Sequence, residues 1–96
     1  MQWDEFEDWS QKMATWAAEY HSTLRDRPVR AQVSPGDTLA LLPQAAPDSA
    51  EDMKSIIDDF ERIIMPGITH WQHPRFFAYF PSNAAPPSVL AEQIVS

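Results

Sequence analysis

Ninety-six residues and 11.0 kDa leave room for one small domain at most, and a chain this short has little apolar surface to bury on folding. With no cysteine it can carry neither a disulfide framework nor a thiolate zinc site, and a net charge of −7 works against nonspecific affinity for nucleic acid or an anionic membrane. No apolar run approaches the roughly 20 residues of a membrane span, and MQWDEFEDW is acidic where a signal peptide is basic, so the expectation is a soluble, cytoplasmic protein with no nucleic-acid or membrane partner.

From Asp4 to about Leu24 neither Pro nor Gly interrupts the chain, and Trp3, Phe6, Trp9, Met13, Trp16, Tyr20 and Leu24 recur at steps of three and four. That spacing predicts an amphipathic helix, with Asp4, Glu5, Glu7 and Asp8 favouring its N-terminal dipole and Pro28 stopping it. Between Pro28 and Pro47 four prolines and one glycine predict an extended connector with a turn at Ser34-Pro35-Gly36-Asp37, whose Leu39, Leu41 and Leu42 require something to pack on. Ser49-Ala50-Glu51-Asp52 has the form of a capping box and predicts a second helix from Ser49. Its apolar stripe is Met53, Ile56, Ile57, Phe60, Ile63 and Ile64, and Pro66-Gly67 ends it. The aromatic run from His70 to Pro81 predicts a loop or a short strand. A third helix is expected near Pro87, carrying Val89, Leu90, Ile94 and Val95.

The expected fold class is therefore mainly α, three helices joined by proline-rich connectors. Fully burying the five large aromatic side chains of the first helix would contribute roughly 1.5–3 kcal/mol each, against roughly 1–2 kcal/mol for every backbone residue ordered. Three amphipathic faces on so short a chain predict an arm laid over another body, a further C-terminal portion of the same protein, a second copy, or both.

Chemistry-bearing residues are sparse. His70 and His73 stand three apart, but Pro74 opposes the helix that would align them and no third ligand follows, so structural hydrogen bonding is favoured over a metal, and no metal ligand is assigned. No nucleophile motif or phosphate-cradling glycine loop is present, and no catalytic residue is assigned. Lys12 and Lys54 fall among acids on helix faces, where exposure keeps them protonated. What remains is the concentration of Trp71, Phe76, Phe77, Tyr79 and Phe80, readable as core packing or as the wall of a pocket for a flat ligand, with the Ser82 hydroxyl at its edge.

The string Ile64-Met65-Pro66-Gly67-Ile68-Thr69-His70-Trp71, continued by Phe76-Phe77-Ala78-Tyr79-Phe80-Pro81, closely resembles the N-terminal part of the pyridoxal-phosphate-dependent group II decarboxylases of the aromatic-L-amino-acid type. The opening W-x-x-F-x-x-W, Arg27-Pro28-Val29, Val33-Ser34-Pro35-Gly36 and Leu41-Leu42-Pro43 agree in order. The resemblance implies the N-terminal portion of a fold-type I enzyme. Residues 1–85 would be a helical arm and dimerisation segment with a pocket-lining loop at 68–85. Residues 86–96 would begin a helix leading into the large domain that binds the cofactor. It implies a lyase with pyridoxal 5'-phosphate as cofactor, an aromatic L-amino acid as substrate, an amine as product and a homodimer formed through the N-terminal helices. Trp71, Tyr79, Phe80, Pro81 and Ser82 match substrate-pocket positions, Ser82 standing where the family commonly has Thr. The Schiff-base lysine and the other cofactor-binding residues fall beyond Ser96 in the family, so the 96-residue chain by itself is expected to be inactive. The alternative is a noncatalytic interaction or dimerisation module derived from such an enzyme.

Overall fold

The computed structural model describes residues 1–79 and 84–96, and among them the secondary structure is entirely helix and turn. Helix α1 runs Trp3–Thr23 as the spacing predicts. Its first turn is closed by Glu5, whose carboxylate accepts the Gln2 N–H at 2.8 Å, and it runs into a 3-10 turn, Leu24–Asp26, sealed by Arg27 N–H to Leu24 O at 3.1 Å. Pro28 has no N–H with which to extend it.

The connector is not wholly extended. Ser34-Pro35-Gly36-Asp37 makes the expected turn, with Gly36 at φ +90° and the Asp37 N–H on Ser34 O at 3.1 Å, and the turn launches a short helix α2, Asp37–Leu41. Pro-Gly at the central positions suits a turn that needs a positive φ at the third residue. Five residues are too few to display a helical period, which is why the sequence reads as a connector. Leu39, Leu41 and Leu42 remain exposed here.

Helix α3 spans Met53–Asp59 and starts four residues later than the capping-box pattern predicts. The true cap is Asp52, whose carboxylate accepts the Ser55 N–H at 2.7 Å; its charge makes it a stronger acceptor than the Ser49 hydroxyl. Beyond Asp59 the helix widens into a π turn, Phe60–Ile64, and tightens into a 3-10 turn, Met65–Gly67. Pro66 explains the widening. It cannot donate to the carbonyl one turn back, and its ring crowds that carbonyl, so the Met65 N–H bonds Phe60 O instead.

His70 and His73 begin two successive turns, closed by His73 N–H to His70 O at 3.1 Å and Phe76 N–H to His73 O at 3.0 Å, so the aromatic run is loop, not strand. Helix α4 occupies Pro86–Val95, opening on the proline pair as expected. Four α-helices, not three, are thus present among the described residues.

Burial is slight. Leu24 and Ile63 are the buried apolar residues described, while Trp3, Phe6, Leu90, Ile94 and Val95 lie open to solvent. A radius of gyration of 15.7 Å exceeds the ~12–13 Å of a close-packed domain of this length. The first-helix stripe is divided: Trp16 and Tyr20 are half-covered, whereas Trp3 is 84% exposed. Cover for the far half comes from Phe60, edge-on to Trp16 at 5.7 Å, and from Glu61, whose carboxylate accepts the Trp16 Nε1–H at 2.8 Å.

Candidate functional site

The loop after Gly67 is anchored at both ends before it presents its aromatic rings. At the near end Gly67 lies so close to α2 that a Cβ there would stand 2.7 Å from Thr38 Oγ1. At the far end the Gln72 Oε1 accepts the Ala84 N–H at 3.0 Å. Between them the His70 N–H bonds Val29 O at 2.9 Å, seating the loop on the exit of α1.

Both histidines point inward and are 5% exposed. His70 Nδ1 is 2.7 Å from the Tyr20 hydroxyl. Burial, reinforced by the nearby charge of Arg27, holds its pKa below the ordinary histidine value, so the ring is neutral at pH 7. His73 Nε2 lies 2.9 Å from Arg27 O, and its Nδ1 accepts the Arg75 N–H at 3.0 Å. A carbonyl can only accept, so the Nε2–H tautomer satisfies both contacts. Burial also raises the Tyr20 hydroxyl pKa, with Arg27 opposing it from over the ring face at 5.3 Å. Both histidines are thus engaged in hydrogen bonds to other parts of the chain, and among the described residues there is no group of three His, Cys, Asp or Glu side chains that could hold a metal ion.

With the histidines turned in, the intervening chain turns its aromatic rings out. Trp71 and Tyr79 lie face to face, centroids 5.4 Å apart and planes 7° from parallel, and Phe76 stacks on Trp71 at 5.2 Å. Trp71 remains 49% and Tyr79 67% exposed, so the stack is an open apolar wall. Phe76 is half-covered within it, whereas Phe77 faces solvent; core packing accounts for neither completely. Of the five residues predicted to contact substrate, Trp71 and Tyr79 are therefore brought together, while Phe80, Pro81 and Ser82 lie outside the described residues.

Two clefts lie nearby, one of about 440 Å³ bordered by Arg27, Arg30, Val33, Met65, Ile68 and His70, the other of about 500 Å³ beside His21, Arg25 and Gln72. Trp71 and Tyr79 border neither. Neither lysine is suited to holding an aldehyde cofactor: Lys12 sits over the Trp9 ring at 4.2 Å, and Lys54 pairs with Asp58 on an exposed face, a hydrogen bond that raises its pKa and keeps it charged. The described residues thus do not fit covalent attachment of a pyridoxal group.

The model of the pyridoxal-dependent decarboxylase conserved domain matches residues 35–96. The aromatic-L-amino-acid decarboxylase of Drosophila simulans is 42% identical over 94 residues, 98% of this chain and 18% of that protein. The phenylacetaldehyde synthase of Arabidopsis thaliana is 41% identical over 91 residues, 95% of this chain and 19% of that protein. The crystal structure of Catharanthus roseus tryptophan decarboxylase in complex with L-tryptophan superposes with a TM-score of 0.89 at 30% identity, covering 98% of this chain and 20% of that one. The chain therefore spans about a fifth of the length of these relatives, and its helical arrangement is shared with the tryptophan decarboxylase structure.

Proposed function

The chain belongs to the pyridoxal-dependent decarboxylase family, and from that membership we propose that it is the arm and pocket-lining portion of an enzyme that converts aromatic L-amino acids to amines and carbon dioxide. The observation that carries the reading is the exposed Trp71–Phe76–Tyr79 stack, whose flat apolar faces suit an aromatic ring and whose Tyr79 hydroxyl adds a polar edge. Segment 68–85 is the pocket-lining loop, and Trp71, Tyr79, Phe80, Pro81 and Ser82 are its substrate-binding residues, the Ser82 hydroxyl serving the ring substituent. Segment 1–85 is the arm, and 86–96 leads toward the cofactor-binding domain. Pyridoxal 5'-phosphate is held by other residues of the enzyme. The bare end of α1, with Trp3 and Phe6, forms the contact of a cytoplasmic homodimer.

The role of these residues is to bind and orient. An aromatic wall fixes the plane of the substrate ring, which limits how the bond to the carboxylate can be presented. The test uses the full-length protein with tyrosine and phenylalanine as paired substrates. Trp71→Ala should lower kcat/KM for both, and Ser82→Ala should lower it for tyrosine alone, by a few-fold to about tenfold, the equivalent of one neutral hydrogen bond. Product analysis distinguishes amine from aldehyde, since relatives of both kinds are similar to this chain. A noncatalytic module instead would release no carbon dioxide and would still associate through α1. Equal loss on both substrates with Ser82→Ala would remove the hydroxyl from the pocket and assign it to the turn before α4.

A further inference from the structure

Trp71 is flanked by buried histidines that face away from the aromatic wall. His70 meets α1 through Tyr20, its backbone N–H meets Val29, and His73 meets the Arg27 carbonyl, so the turn is fastened on both sides of Trp71 to the exit of α1. Tyr20 is itself held by the near-parallel Trp16 ring at 5.4 Å. We propose that Tyr20, His70 and His73 are positioning residues, a clamp that sets the orientation of Trp71 and thereby of the Phe76–Tyr79 stack without touching substrate. The proposal rests on the reading of Trp71 as a pocket wall.

The clamp depends on pH because of what surrounds His70. Tyr20 meets it from α1, with His21 packed edge-on against Tyr20; Arg27 lies near it from the segment that follows, Arg30 and Glu61 border the same cleft, and His73 belongs to its own turn. The carboxylate in this set, Glu61, accepts the Trp16 N–H. A proton on His70 would have to be held in a buried site beside the Arg27 guanidinium. The ring takes up a proton more readily once the turn has opened into water. With the folded pKa below the ordinary 6.5, the stabilisation is complete above that value and is lost as pH falls through and below it.

The experiment uses the full-length protein. Tyr20→Phe should raise KM for aromatic substrates by a few-fold to about tenfold while kcat stays near wild type, and the His70, His73 and Phe76 amides should exchange faster by a similar factor. His70→Asn supplies an uncharged amide near the Nδ1 position, so it should keep KM close to wild type and abolish the rise in KM as pH falls below about 6.5. Unchanged exchange and KM in Tyr20→Phe, or an acid limb that persists in His70→Asn, would overturn the clamp. Trp71→Ala separates the two readings. If it leaves KM unchanged, the pocket wall fails, and the exchange response to Tyr20→Phe still decides whether the clamp exists.

Discussion

Trp16, with Tyr20, joins α1 to the rest of the chain, and truncating it should loosen that helix. Its ring lies 5.4 Å from Tyr20 and 5.7 Å from Phe60, two aromatic pairs contributing about 0.5–1.5 kcal/mol each beyond their area. Half-burial adds about 1 kcal/mol, half of what full burial of a large apolar side chain provides. The bond from Nε1 to Glu61 is solvent-exposed and contributes at most about 0.5 kcal/mol. Trp16→Ala should accordingly cost about 3 kcal/mol, roughly a hundredfold in the local opening constant. Trp16→Phe, which keeps an aromatic ring, should cost about 1 kcal/mol. Native-state hydrogen exchange of the α1 amides near Tyr20 and of the π-turn amides reads these openings directly. Trp3→Ala is the control: that indole is 84% exposed, and its loss should change local stability by less than about 0.5 kcal/mol. Equal effects of Trp3→Ala and Trp16→Ala would refute this account of how the helix is docked.

Gly67→Ala should destabilise the α2 contact by about 1–3 kcal/mol, because its Cβ would meet Thr38 Oγ1 at 2.7 Å, and adding Thr38→Ala should recover most of the loss in urea unfolding. Gly36→Ala meets no neighbour but must hold φ +90°, so its penalty of about 1–2 kcal/mol should persist in every background and shrink with Gly36→Asn. The Asp52 carboxylate, whose pKa is lowered first by the Ser55 backbone N–H, stabilises the start of α3 fully above the ordinary aspartate range. That contribution is lost as pH falls through the lowered value, so exchange at Ser55 should quicken in acid, and Asp52→Asn should flatten the dependence.

Helix α1, the Ser34–Asp37 turn, the end of the second helix at Pro66-Gly67 and the start of α4 were all legible in the sequence, because apolar spacing, proline and glycine act within a few residues of themselves. The same local reasoning expected hydrogen-bonded histidines and named Trp71 and Tyr79 among the residues of the aromatic run, and the structure stacks those two rings. It misplaced the α3 cap, since Ser49 carries the capping-box form and only the folded backbone brings the Ser55 N–H onto Asp52. It missed α2, too short to carry a period, and the π turn, which arises from one absent N–H and a crowded carbonyl. Which half of the α1 stripe is covered was likewise undecided by spacing. Tyr20 meets His70 across 50 residues and Trp16 meets Glu61 across 45, and such long-range pairings depend on the path of the whole connector. The aromatic residues are written in the chain, but which rings turn outward is decided by the histidines that turn in.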